Sequence, residues 1–296
     1  MALGFFSFSA CDTLAKLLTD EFHAFQVVWM RMFGLFVGVC FLLTTRGLTI
    51  LRTPKPGLQI LRGAVAVGSA TFFIVAIQFV PLADAVAVTF VAPFIVTVLG
   101  ALVLKEPVGI RRWLAVCGGF FGMLIVIRPG LGVFHPAIFL ILLAAVFFAI
   151  RQLVSRWLSG VDDVITTIAY TSIVSFFIAS GAQPFVWITP DTLQSVLLIF
   201  GMTIFAAVGE VLIIRALDIA QSVVLAPIHY TLIIWGVFYG YLVFSDLPDQ
   251  WTLLGCSIIV ISGLYTTYRE YVLTMHPKPS EITGNILGKY QVKSAD

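Results

Sequence analysis

Long stretches of this chain hold almost nothing but apolar residues, and short polar interruptions separate them. Ten such stretches can be marked, at residues 2–18, 24–44, 58–80, 82–104, 113–127, 136–158, 164–186, 192–217, 220–243 and 251–268. Ten membrane-crossing helices of roughly 20 residues use about 200 residues. The rest goes to short loops and a tail, so no soluble catalytic domain fits. Composition agrees: of 296 residues, 60% are hydrophobic and 11% charged, too few polar groups to cover a water-soluble globule. The pattern predicts an all-α membrane protein.

The first stretch has neither a basic leader nor a small-residue cleavage site before a polar sequence, and reads as a retained helix. Cys11, Cys40, Cys117 and Cys256 fall inside apolar stretches without CxxC spacing, so they read as reduced packing residues. Net charge is only +2, but its distribution carries information. With a cytoplasmic N-terminus, the cytoplasmic connections and the C-terminus collect Arg46, Arg52, Lys55, Arg62, Lys105, Arg111, Arg112, Arg151, Arg156, Arg215, Arg269, Lys278, Lys289 and Lys293. The other side has Lys16, Arg31 and Arg128, and its loops carry Asp20, Glu21, Asp191, Asp246 and Asp249. The positive-inside rule then places both termini in the cytoplasm.

Comparing the halves at an offset of about 140 residues aligns Leu14, Lys16 and Leu18 with Val154, Arg156 and Leu158, and Gly100 to Glu106 with Gly240 to Asp246. Each half therefore holds five spans. Five is odd, so the second half enters the membrane inverted, an arrangement that places a site at the interface of the repeats. Pro227 interrupts the stretch 220–243 and Pro93 interrupts 82–104, at matching places in the two halves. A proline leaves a carbonyl unpaired that lipid cannot satisfy, so both breaks are expected to face protein or water. Paired glycines, Gly34 and Gly38, Gly118 and Gly122, Gly236 and Gly240, are expected to let helix backbones approach closely.

The run from Pro81 to Gly130, PLADAVAVTFVAPFIVTVLGALVLKEPVGIRRWLAVCGGFFGMLIVIRPG, closely resembles the end of the first repeat in the EamA family of the drug/metabolite transporter superfamily. In the second half Arg215 to Leu217, the APIHYT run at 226–231 and Gly240 to Asp246 show the matching pattern. The resemblance implies ten helices in two inverted five-helix repeats, residues 1–130 and 131–270, followed by a cytoplasmic, disordered tail at 271–296. It also implies a central cavity lined by the first, third, fourth, sixth, eighth and ninth helices. Similar members move small metabolites, among them the YddG-type exporters of aromatic amino acids.

An ionisable group deep in a span costs roughly 2.5–3.5 kcal/mol, so each needs a partner, a wet cavity or a function. Glu210 lies ~10 Å from the cytoplasmic end of the eighth span, on the helix preceding His229. The two are expected either to carry a proton or hold the ends of an amino acid, or to lock two helices together. Asp12 is one turn from Lys16 and can pair with it; Arg31 is an alternative partner. Gln152 meets Asp12 at the repeat offset. Phe72, Phe73, Phe90, Phe94, Phe147, Tyr230 and Trp235 fall on cavity helices as a candidate aromatic wall, with Tyr230 beside His229 foremost. The substrate-binding set expected is Glu210, His229, Tyr230, Asp12, Gln152, Phe90 and Trp235.

These residues point to a multi-pass transporter of the bacterial inner membrane that exports small metabolites, amino acids foremost, by alternating access. An importer or multidrug exporter of the same fold is the alternative. An intramembrane enzyme using Glu210 and His229 is remote, since no nucleophile pair, HExxH cluster or phosphate-cradling loop is present. The expected partners are a small-molecule substrate and the lipid bilayer, with no nucleic acid, cofactor or metal, and the carrier is expected to be a monomer.

Overall fold

The computed structural model describes residues 1–103, 110–128, 135–158, 161–219, 228 and 230–275, and every regular element among them is helical. In chain order these are α1 (Ala2–Leu18), α2 (Ala24–Arg46), α3 (Pro56–Ile77), α4 (Leu82–Thr89), α5 (Ala92–Val103), α6 (Ile110–Ile127) and α7 (Ile138–Leu158). They continue with α8 (Val164–Ser180), a short α9 (Gln183–Val186), α10 (Leu193–Ile219), α11 (Thr231–Phe244) and α12 (Gln250–Met275). Among the described residues, five segments are long and apolar enough to cross a membrane by length and composition: Ala24–Arg46, Pro56–Ile77, Leu82–Val103, Ile138–Ser155 and Leu193–Ile213. The outer surface matches a hydrocarbon solvent, with Phe185 88% and Phe41 71% exposed. The fold class is the expected one, an all-α membrane protein of two inverted five-span sets.

The heaviest packing joins the two sets. The first span, α1, lies along the eighth, α10, and the third, α3, lies along the sixth, α7. Likewise α3 packs on α8 as α2 packs on α10, and α5 on α7 as α11 on α1. Each pair turns into the other when the two halves are exchanged, while α6–α12 and α2–α8 map onto themselves. The symmetry reaches single residues. Gly4 of α1 sits against the backbone of Gly209 in α10, and Ser69 Oγ of α3 donates to the Ala144 carbonyl of α7 at 2.9 Å. At the repeat offset these are one contact seen twice. Buried side chains gather in two cores: Cys11, Ala15, Leu18, Val27, Ile74 and Met202 in one, and Ile77, Val86, Met123, Ile141, Ile233 and Ile259 in the other. Both cores draw on both halves.

The fourth span is broken, as its proline predicts. Between α4 and α5, Phe90 N–H donates to Ala87 and Val91 N–H to Val88, short three-residue bonds that tighten the turn before the helix resumes. Pro93 follows in the first turn of α5, where its missing amide costs little. Pro227, the corresponding break in the ninth span, lies outside the described residues, as does the 104–109 connection; of the tail expected at 271–296, residues 271–275 continue α12 and the rest lies outside the described residues.

Of the three glycine pairs, one behaves as expected at both positions. A side chain at Gly122 would meet the Gly255 carbonyl, one at Gly255 would meet Gly122 and Val126, and one at Gly118 would meet Ser262. This is the crossing of α6 and α12. A side chain at Gly34 would meet Thr203 but Gly38 has open space beside it, and a side chain at Gly236 would press on Val86 while Gly240 has only an ordinary contact, so close approach at those pairs is limited to one member of each. Overpacking a close crossing costs about 1–3 kcal/mol. Gly255→Leu is therefore expected to lower the unfolding temperature in detergent clearly, while Gly119→Leu, with no atom near its added Cβ, should leave it near wild type.

Candidate functional site

Among the described residues, five charged side chains lie about 7 Å or less from the middle of their spans by residue count: Asp12, Arg31, Arg62, Arg151 and Glu210. On α1, Asp12 accepts from Arg31 Nη1 of α2 at 2.5 Å, and both side chains are only 13% exposed. Arg31 also stands over the Phe8 ring, 5.7 Å from its centre. Lys16 is therefore not the partner of Asp12. It turns one helical turn away and donates from Nζ to the Val80 carbonyl at 2.9 Å, because that carbonyl, at the turn before Pro81, needs a donor no helix supplies.

On α3, Arg62 is clamped. Its Nε donates to Ser155 Oγ of α7 at 2.8 Å and its Nη1 to Thr171 Oγ1 of α8. Both hydroxyls give their own proton to a helix carbonyl, Ser155 to Arg151 and Thr171 to Thr167, each at 2.7 Å. That leaves their lone pairs facing the guanidinium. One turn before Ser155, the Arg151 guanidinium stands 5.0 Å from the centre of the Phe148 ring. Glu210 of α10 is half-buried and lies within electrostatic reach of Arg31, Arg62 and Arg151. Three guanidinium groups thus face two carboxylates among the described residues of this region.

The cluster has two levels. Asp12 and Arg31 lie toward the face that carries Glu21, whereas Arg62, Arg151 and Glu210 lie toward the opposite face. At the Glu21 face, Lys16 bridges to Val80 and stands over Phe244 at 4.9 Å, with Asp20, Asp84 and Asp246 in its field. Arg128 pairs with Asp249, and Thr252 donates to Asp84 at 3.0 Å. Asp249 lies outside the spans. Partial burial alone would raise its carboxyl, but the Thr252 amide and the Arg128 guanidinium outweigh that and hold it below the ordinary range. Polar bonds thus tie α1, the α3–α4 turn, α4, α6 and α12 across this face.

Among the other expected residues, Tyr230 stacks on Phe90 with ring centres 5.4 Å apart, joining the break in the fourth span to the start of α11. Its hydroxyl occupies the space that a side chain at residue 263 would need, so that position requires Gly263. Trp235 meets Phe6 edge-on at 5.1 Å, and its buried indole N–H has no hydrogen-bond partner among the described residues. Gln152 is half-buried beside Arg151. His229 lies outside the described residues, so its pairing with Glu210 is not part of this geometry. The charge count grouped Arg62 and Arg151 with the cytoplasmic side, although the apolar stretches 58–80 and 136–158 already contain them. Each is about two turns inside its helix, and neither was in the expected substrate-binding set. Two surface hollows lie elsewhere: an apolar groove of about 580 Å³ along α1 and α10, and one of about 340 Å³ between Arg46, Arg52 and Asp162.

Removing one member of a buried ion pair leaves its partner uncompensated, at a cost of about 3 kcal/mol or more. Asp12→Ala is expected to lower the detergent unfolding temperature, and the double change Asp12→Ala with Arg31→Met should recover part of the loss. No recovery would show the two groups act independently.

The EamA-like transporter family matches residues 1–128 and again 135–268. Over 268 residues the chain is 26% identical to an S-adenosylmethionine uptake transporter of Rickettsia bellii, covering 90% of this chain and 92% of that one. A riboflavin transporter of Vibrio cholerae is 30% identical over 222 residues, 74% of each chain. A pseudopaline exporter of Pseudomonas aeruginosa is 25% identical over 88% of this chain and 92% of its own. A solved crystal structure superimposes with a TM-score of 0.63 at 15% identity, covering 92% of this chain and 98% of the other, a likeness of fold.

Proposed function

The chain belongs to the EamA-like transporter family, and on that premise we propose that it carries small zwitterions of the amino acid class across a bacterial inner membrane by alternating access. The observation that carries this reading is the presence of charges of both signs at mid-span, on helices of both halves. A zwitterion entering a low-dielectric site loses the hydration of two opposite charges, and only a site with both signs replaces both. The Phe90–Tyr230 stack and Trp235 supply apolar surface suited to a side chain.

In this reading residues 1–130 and 131–270 are the two units that move, and both termini face the cytoplasm, following the basic loops. The Glu21 face is then external, and the Lys16 bridge closes the outer mouth. The carrier exports amino acids, aromatic ones foremost. A second reading, uptake of S-adenosylmethionine, is favoured by the Rickettsia relatives, which are covered along nearly their whole length. That molecule carries the same ammonium and carboxylate pair as an amino acid, with a sulfonium charge and a planar base in addition.

The test is counterflow in proteoliposomes holding the full chain, with labelled phenylalanine, tryptophan, S-adenosylmethionine and riboflavin. The expected result is exchange of at least one amino-acid-bearing solute several-fold above empty vesicles, lowered about tenfold or more by Glu210→Gln. Exchange of riboflavin alone, or of nothing, would overturn the reading.

A further inference from the structure

The three guanidinium groups near mid-span differ in what they touch. Arg31 is held directly by Asp12 at 2.5 Å. Arg62 is held by Ser155 and Thr171, whose hydroxyl protons are already directed elsewhere. Arg151 has neither kind of partner: among the described residues its guanidinium makes no hydrogen bond or ion pair, stands over the face of Phe148, and feels Glu210, Arg31 and Arg62 through space. An aromatic face covers the flat side of a guanidinium and leaves the N–H groups at its edge free, in the fork that matches a carboxylate. Two buried cations are locked and one is presented.

We propose that Arg151 is the specificity-determining residue that receives the substrate's carboxylate, with Glu210 receiving its ammonium group. The inference rests on the zwitterion reading above and deepens it. Arg151 and Glu210 both belong to the second half, but α7 lies along α3 and α10 along α1, so each stands on a different one of the two heavily packed pairs that join the halves. A substrate bridging them therefore touches both interlocked helix pairs. Arg62 acts as a positioning residue. Its bond to Ser155 fixes the turn of α7 that follows Arg151, and its positive charge keeps the carboxylate-binding region from being neutralised by Glu210 alone.

A site built to pair a carboxylate leaves its guanidinium unpaired when that group is missing, and such sites reject the lacking analogue strongly. The probes are acid and amine forms of one molecule: phenylalanine against phenethylamine, and S-adenosylmethionine against its decarboxylated form. Binding is measured on the full chain in nanodiscs for wild type, Arg151→Gln and Arg151→Lys, with thermal unfolding recorded for each. For the probe pair that binds, wild type is expected to prefer the acid by about tenfold or more. Arg151→Gln should erase that preference by weakening the acid while leaving the amine within about twofold. Arg151→Lys, which keeps the charge but loses the fork, should fall between and serves as the test should the glutamine variant fail to fold. An unchanged acid-to-amine ratio in either folded variant overturns the assignment while leaving the carrier reading intact. Binding of no acid or amine to wild type overturns both.

Discussion

Hydrocarbon cannot solvate a charge, so each guanidinium placed at mid-span has to be satisfied by the protein, by trapped water or by a passing ligand. That constraint organises the centre of this molecule. Arg31 with Asp12 ties α1 to α2, and Arg62 with Ser155 and Thr171 ties α3 to α7 and α8. The second of these joins the two halves, so the bond that makes Arg62 tolerable also fixes how the first half seats on the second. Charge satisfaction and interhelical register are one problem here.

The packing explains why such bonds cross the molecule. Between apolar helices in lipid there is no hydrophobic drive, and close fit plus polar contacts must hold the bundle. The Gly122–Gly255 crossing provides the fit where α6 meets α12. Elsewhere a hydroxyl or amide spans the gap: Ser69 to Ala144, Ser175 to the Gly63 carbonyl at 3.0 Å, and Gln26 to Ile188 through a pair of bonds at 2.6 and 2.8 Å. At the opposite face Asp162 accepts from both Thr53 and Gln59 at 2.7 Å. Each of these bonds joins first-half to second-half residues, which follows from helices whose main neighbours are in the other repeat.

The spans were legible because their apolar length is dictated by bilayer thickness, and the break in the fourth because proline lacks an amide. Asp12 was legible as a buried charge, but its true partner was not settled, since Lys16 one turn away and Arg31 on the next helix satisfy the same rule. Arg62 and Arg151 were legible as residues of the third and sixth spans, but not as members of the central cluster, for a definable reason. Counting basic residues by side of the membrane assigns each to a side without weighing its depth. Ser155 and Thr171 were invisible because a mid-helix hydroxyl that bonds its own preceding turn has no signature until another helix brings a donor to it. The Phe90–Tyr230 stack joins residues far apart in sequence, and only the crossing of α4 with α11 puts them together.

On the proposed reading, the inequality of three cations and two carboxylates has a consequence for the transport cycle. A carrier must return empty as well as loaded, so its site has to be tolerable in both states. With the site empty, Glu210 is shared among three positive groups, and Arg151 is held by an aromatic face and by that shared field. A zwitterion docking between Arg151 and Glu210 gives each a direct partner and adds no net charge. A purely cationic or anionic solute would change the balance and leave one of the two groups worse compensated than before. The arrangement therefore selects for solutes that carry both charges, and it does so through the electrostatic cost of the empty and filled sites rather than through pocket shape alone.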